Sequence, residues 1–300
     1  MPACSALRSR AICRWQADAV RILVIDGNRA ATREQQVAAG GQPSGEGYVH
    51  VLQQLAALDS DIVRPADGEV QWPAGVSIAD YDGVAITGSA LNIYDGGPHI
   101  ERQIVLARAV FDSGVPCFGS CWGMQLAVTA LGGVVRRNPL GREFGFARRI
   151  TLSAAGQEHP MFKDKPSVFE AITVHRDDIE RLPPGAIELA SSDMGLQAVE
   201  LHHARGSFWG VQYHPEYSYA EIAATTKRYA NVLLEEHLFG DRVELDAFVG
   251  DLQSLQRDPR DLRLCWKHGL GPAMQTPRFK LAELRNWLEL QVKPWFQQRH

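Results

Sequence analysis

Val115-Pro116-Cys117-Phe118-Gly119-Ser120-Cys121-Trp122-Gly123-Met124-Gln125 is the stretch that decides how this chain folds. Val115 to Gly119 is a short apolar run of the kind that forms a buried parallel strand. Met124 to Leu131 reads as a short helix closed by Gly132-Gly133. Between them stands Gly119-x-Cys121-x-Gly123, a strand–turn–helix with a cysteine at the turn, the sulfur counterpart of a nucleophile elbow. The tight turn presents the side chain at the C-terminal edge of a sheet, and the flanking glycines carry no Cβ to clash there. The N-terminus of the following helix favours a thiolate. At this composition the pattern is expected about 0.04 times by chance. Cys121 is therefore the candidate nucleophile, whereas Cys117 reads as a buried strand thiol.

Working outward, Val20-Arg21-Ile22-Leu23-Val24-Ile25-Asp26-Gly27 is another buried strand, followed by a polar, Gly-rich connection from Asn28 to Gly47. Val49, Leu52, Leu55 and Ala56 keep helical spacing, Asp61–Arg64 and Asp82–Gly88 read as strands, and Ile100 to Phe111 as a helix. Strands alternating with helices predict an α/β fold, a mainly parallel central sheet with flanking helices. From residue 134 the pattern changes. Arg148–Leu152, Val168–Val174, Ile187–Ala190, Leu196–Leu201 and Phe208–Tyr213 are strand-like with short polar breaks, so this second half is expected to pair partly antiparallel, with a helix from Tyr219 to about Leu238. Residues 241–300 lack strands and form a C-terminal helical tail broken near Asp258-Pro259 and Gly269–Pro272. Its stripe of Leu281, Leu284, Trp287 and Leu288 is expected to pack on the main domain, the alternative being a partner or dimer face. The predicted organisation is a leader over 1–20, a domain over 21–240 and a helical extension over 241–300.

Composition narrows the function classes. The 300 residues carry 31 Lys+Arg against 35 Asp+Glu, a net charge of −4, which is not the basic footprint of a general nucleic-acid binder. No apolar run approaches the roughly 18 residues of a membrane span. The five cysteines (Cys4, Cys13, Cys117, Cys121, Cys265) are odd in number and contain no CxxC pair, which argues against a disulfide framework or a zinc site and for a reducing, cytoplasmic setting. His202-His203, adjacent on a strand, point to opposite faces and do not make a metal site.

A cysteine nucleophile needs a histidine to manage protons. Val211-Gln212-Tyr213-His214-Pro215-Glu216 ends an apolar strand with His214 and Glu216 two residues apart, on one face of extended backbone. Glu216 can then hold one ring nitrogen of His214 while the other faces Cys121, a Cys-His-Glu triad.

Gly119 to Gln125 together with His214-Pro215-Glu216 resembles class I glutamine amidotransferases, over roughly residues 21–240. Ile86-Thr87-Gly88-Ser89 resembles the family's glycine loop, and Gly141–Phe146 sits where the family has a substrate-side loop. Val174-His175-Arg176-Asp177 with Leu182-Pro183-Pro184-Gly185 resembles the motif of stand-alone members such as γ-glutamyl peptidases and the amidotransferase half of GMP synthetase. Ser120 stands where many members carry an aliphatic residue, and Ser89 where many carry a second glycine. The resemblance implies attack by Cys121 on a γ-glutamyl amide. The backbone N–H groups of Trp122 and of Gly88 or Ser89 would hold the oxyanion, Gln125 and His175 would contact substrate, and a γ-glutamyl thioester would form. No cofactor or metal is expected, and neither a nucleic acid nor a membrane is an expected partner. No G-x-x-x-x-G-K-[ST] loop is present, and 60 residues of tail are too few for a synthetase domain. The substrate is thus a small γ-glutamyl compound or glutamine. The expected activity is γ-glutamyl amide hydrolysis, the alternative being a glutaminase subunit that delivers ammonia to a separate synthetase or ligase, and a non-catalytic binding module a third, minor possibility.

Overall fold

A computed structural model describes residues 19–203 and 205–299. Cys4, Cys13 and the leader expected over 1–20, save its last two residues, lie outside them. Eleven strands are present among the described residues: β1 (Val20–Ile25), β2 (Leu58–Val63), β3 (Gly83–Ile86), β4 (Cys117–Ser120), β5 (Val134–Arg137), β6 (Glu143–Leu152), β7 (Val168–His175), β8 (Asp177–Arg181), β9 (Ile187–Ser192), β10 (Gly195–His203) and β11 (Gly206–Val211). Nine form one sheet in the order β2-β1-β3-β4-β11-β10-β9-β6-β7. β2, β1, β3, β4 and β11 run parallel, and the remaining pairs are antiparallel. The change in pairing falls at β11, which is parallel to β4 on one side and antiparallel to β10 on the other. β5 and β8, which the sequence reading did not pick out, form a separate antiparallel pair. Both are short, and Asp177-Asp178 and Arg136-Arg137 hide them from an apolar-pattern reading.

Helices α1 (Ala30–Ala38), α2 (Ser44–Leu55), α3 (Pro98–Ser113) and α4 (Trp122–Ala130) belong to the first half of the chain, the short α5 (Ala154–Glu158) lies between β6 and β7, and α6 (Tyr219–Arg228) and α7 (Ala230–Glu235) follow β11. The stretch 28–47 is thus not a continuous polar connection, because α1 occupies its middle. Its residues show no apolar stripe, only Gln36 among them being buried, and tertiary hydrogen bonds hold it in place. The Gln36 amide donates to the Glu221 carboxylate (3.1 Å) and to Thr225 Oγ1 (3.1 Å) on α6. The helix expected from Tyr219 to Leu238 is likewise divided at Tyr229.

Glycines let α4 sit tight against the sheet. A Cβ on Gly119 would lie 2.8 Å from the Gly123 carbonyl carbon, and one on Gly123 would lie 2.5 Å from the Ile86 carbonyl oxygen. Gly123 makes room for the β3 backbone and Gly119 for both the α4 backbone and the Phe208 ring, so the start of α4 is pressed onto β3 and β4.

The tail forms α8 (Arg242–Arg257), α9 (Leu262–His268), α10 (Pro272–Gln275), α11 (Pro277–Lys280), α12 (Ala282–Trp287) and α13 (Lys293–Arg299), the last two joined by a π-helical turn at Leu288–Val292. The breaks at Asp258-Pro259 and Gly269–Pro272 fall where expected, with Gly269 in the left-handed conformation that ends α9. Leu284, Trp287 and Leu288 are buried in the same core as β1, β4 and β11 residues. Trp287 is fully buried, with its ring centroid 6.0 Å from that of Phe118 on β4. Trp287→Ala is expected to cost about 3–5 kcal/mol through lost burial and the cavity left behind. The check is a denaturant titration followed at a probe in the β1–β4 half. An unchanged midpoint there would show that the tail does not share that core's stability.

Candidate active site

Cys121 occupies the turn between β4 and α4. Its backbone is strained, with φ 51° and ψ −104°, a region that non-glycine residues rarely enter. The strain is held by the hydrogen bond from the Cys121 N–H to the Val211 carbonyl (2.7 Å) and by the start of α4. Its thiol is 3.6 Å from the Val174 carbonyl of β7. Trp122 is the first residue of α4, so its N–H has no intrahelical acceptor. The Trp122 indole donates to Gln103 Oε1 (2.8 Å), which fixes the ring behind the turn.

His214 follows β11. Its imidazole is buried, borders the same pocket as Cys121, and stacks on Tyr217 with centroids 4.1 Å apart. Nδ1 lies 2.7 Å from Glu216 Oε1. Two-residue spacing predicts the pairing from extended backbone, but β11 ends at Val211 and the Tyr217 N–H bonds the His214 carbonyl (3.3 Å). A turn at Pro215, not a strand, brings the carboxylate to the ring. The His214 N–H is tied to the Ile172 carbonyl (2.8 Å), so β7 anchors the turn from the other side. Burial works against the imidazolium, but the Glu216 charge, the hydrogen bonds to Cys121 and Glu216 and the Cys121 charge outweigh it. His214 is pushed up to about 10.

Gly88 packs against this ring, where a Cβ would fall 2.5 Å from His214 Cε1. Its loop is pinned on both sides. The Ser89 hydroxyl donates to the Gly27 carbonyl (2.8 Å), and the Gly27 N–H donates to Thr87 Oγ1 (3.0 Å). Ser89 therefore keeps its side chain turned away into a structural bond. Ser120 does likewise, its hydroxyl bonding the buried Tyr48 hydroxyl (3.0 Å).

A pocket opens over Cys121 and His214, lined also by Gln125, Ser89, His175 and Tyr217. Gln125 is buried and its amide donates to Gln212 Oε1 (3.2 Å). His175 borders the cavity, but both its ring nitrogens are engaged, Nε2 with the Glu143 carboxylate (2.8 Å) and Nδ1 with the Asp177 carbonyl (2.9 Å). Neither ring nitrogen is therefore free for a ligand in the cavity. Four arginines reach the same space. Arg142 is bidentate to Glu236, Arg176 is 3.6 Å from the same carboxylate, and Arg33 pairs with Asp67, while Arg228 bonds the neutral Gln36 Oε1 (2.9 Å). Sequence reasoning did not find Tyr217, Tyr48 or Arg228, which come from separate segments and carry no spacing signal. Elsewhere, His202 faces Glu200, His203 stacks on Phe111, and Cys117 is buried in β4 with its thiol pushed well up by burial. No group of three or more His, Cys, Asp or Glu that could hold a metal occurs among the described residues.

This chain belongs to the class I glutamine amidotransferase family, whose domain model, glutamine amidotransferase class-I, matches residues 48–226. It is 34% identical over 281 residues to a γ-glutamyl-L-1-hydroxyisopropylamide hydrolase from a Pseudomonas species, covering 92% of this chain and 94% of that protein. A glutamine-hydrolysing GMP synthase of Symbiobacterium thermophilum is also 34% identical, but over 148 residues, 48% of this chain and 27% of that protein. The fold is shared with a glutamine amidotransferase from Thermotoga maritima, with a TM-score of 0.56 at 19% identity over 91% of this chain and 98% of that one. Among the described residues no helix is long and apolar enough to cross a membrane.

Proposed function

We propose that this protein hydrolyses a γ-glutamyl amide, releasing glutamate and an amine. The observation that carries the reading is the similarity to the Pseudomonas hydrolase along nearly the whole chain, tail included, whereas the GMP synthase match covers less than half of it. The alternative, a glutaminase subunit feeding ammonia to a separate synthetase, has the weaker support for that reason.

In this reading the Cys121 thiolate attacks the γ-carbonyl carbon, and the oxyanion collects the N–H groups of Trp122 and of Gly88 or Ser89. The His214 imidazolium gives its proton to the departing nitrogen as the C–N bond breaks, leaving a γ-glutamyl thioester. Neutral His214 then takes a proton from water, which attacks the thioester, and glutamate leaves as the thiolate and imidazolium are restored. Glu216 orients the ring and stabilises its charged form throughout. Gln125 contacts the glutamyl group, with His175 in a supporting place beside it. A free thiol at Cys121 fits a reducing, cytoplasmic setting.

The experiment is glutamate release from glutamine, γ-glutamyl dipeptides and γ-glutamyl alkyl- and hydroxyalkylamides. Faster turnover of a conjugate than of glutamine is expected. A strong preference for glutamine would favour the amidotransferase subunit.

The pH profile is a separate check. Chemistry needs the imidazolium, and Glu216 and Cys121 hold His214 up to about 10. kcat/KM is therefore expected to stay level through neutral pH and to fall as pH rises through about 10. A fall centred near the ordinary histidine value of about 6.5 would contradict the pairing.

A further inference from the structure

Behind the His214–Tyr217 turn lies a second pocket, bordered by Tyr48, Glu216, Tyr217 and Lys280. Lys280 ends α11 in the helical tail, beyond the residues that the family model matches. Its ammonium donates to the Pro215 carbonyl (2.9 Å) and to the Tyr217 carbonyl. These two carbonyls bracket Glu216. The charged groups around Lys280 are the Glu216 carboxylate on the turn, Glu283 on α12 and the Lys165 ammonium. Lys165 itself bonds Glu283 Oε1 (2.6 Å). Burial, aided by Lys165, draws Lys280 down to about 8, against the pull of Glu216 and Glu283. At neutral pH the group is still mostly an ammonium.

A buried ammonium is costly unless its donors and its charge are matched. Here two donors are spent on the backbone of one turn, and the charge lies near Glu216, whose outer oxygen Oε2 is buried without a hydrogen-bond partner.

We propose that Lys280 is a positioning residue for the triad: by holding the two carbonyls that flank Glu216, it fixes the turn that presents Glu216 to His214 and His214 to Cys121. The inference rests on the reading of those three residues as the reacting machinery. It gives the tail a role in the site as well as in the core. A displacement of about 1 Å in reacting groups can cost about 10²-fold in rate, so Lys280→Met is expected to lower kcat about 10–100-fold with KM little changed.

The test compares wild type, Lys280→Met and Cys121→Ala by two readouts. The first is alkylation of Cys121 by iodoacetamide as a function of pH, followed on the Cys121 peptide by mass, which needs no substrate. In Lys280→Met the imidazolium no longer sits squarely against the sulfur. Alkylation at pH 7 is expected to slow at least tenfold, and its pH profile to move to higher pH. Ethylammonium, entering the cavity, is expected to restore part of the rate, and tetramethylammonium, which has no N–H donor, is not. A profile that coincides with wild type overturns the proposal. So does a move to lower pH, and so does a slowed rate that ethylammonium leaves unchanged or that tetramethylammonium, which brings charge without an N–H donor, restores as fully. If Lys280→Met does not fold, the same profile is read on Lys280→Gln, whose amide retains donors. A smaller move to higher pH supports the proposal, and a wild-type profile overturns it. The second readout is glutamate release. If wild type releases none from any γ-glutamyl amide, the functional reading fails while the alkylation result still decides the role of Lys280.

Discussion

Cys121→Ala is expected to reduce glutamate release from the best γ-glutamyl amide by about 10⁴–10⁶-fold, with folding intact. Removing a nucleophile from an assembled triad costs effects of that order, because the oxyanion donors and substrate binding remain but no covalent intermediate can form. The alanine side chain is smaller than the thiol it replaces and leaves the Cys121 backbone contacts in place, so the strained turn is expected to persist. A thermal melt within a few degrees of wild type, together with loss of turnover and of the alkylated Cys121 peptide, is the full expected result. Residual turnover within tenfold of wild type would place the chemistry elsewhere.

The second large effect is expected from Glu216→Gln. The change keeps shape while removing the charge that, with Cys121, holds His214 up against burial. A glutamine at 216 also invites its amide N–H, rather than an acceptor, toward Nδ1, which favours the wrong tautomer. The loss in kcat is expected to be about 10³–10⁴-fold, the size seen when the orienting carboxylate of a triad becomes an amide. The sign on pH follows from the cause. Without Glu216 the desolvation of the ring is less opposed and the His214 pKa falls. The alkaline limb of kcat/KM therefore moves to lower pH, and the remaining activity is lost sooner as pH rises. Measuring the residual rate from pH 6 to 10 tests this. An unchanged alkaline limb would mean that Glu216 does not set the protonation of the ring.

Much of the fold was legible because the strands of a doubly covered sheet are short, apolar and separated by helices. Ile22 to Ile25, Val84 to Ile86 and Cys117 to Phe118 carry that signal on their own. The antiparallel half was legible as strands but not as an order. Nothing local says that β11 inserts between β4 and β10 or that β6 lies beside both β7 and β9. Helix α1 escaped because its stability comes from Gln36 bonding α6, some 185 residues away, rather than from an apolar stripe. The site divides in the same way. Cys121 sits in a pattern rare enough to stand out, and Glu216 is near enough to His214 in the chain for spacing to suggest the pair. His175 stands in a motif resembling the family's, yet the chain folds so that Glu143 and Asp177 take up both its nitrogens.

Local sequence by itself determined the elbow at Cys121, the proximity of Glu216 to His214 and the helical character of the tail. Each depends on neighbours within a few residues, where backbone geometry leaves few choices. Tertiary structure alone decided that His214 meets Cys121, that Gly88 lies against its ring, that Tyr217 stacks on it and that Lys280 reaches under Glu216. Those contacts join residues brought together by strand order and core packing, and the free energy that selects them is spread over the whole buried interior rather than written in any one segment.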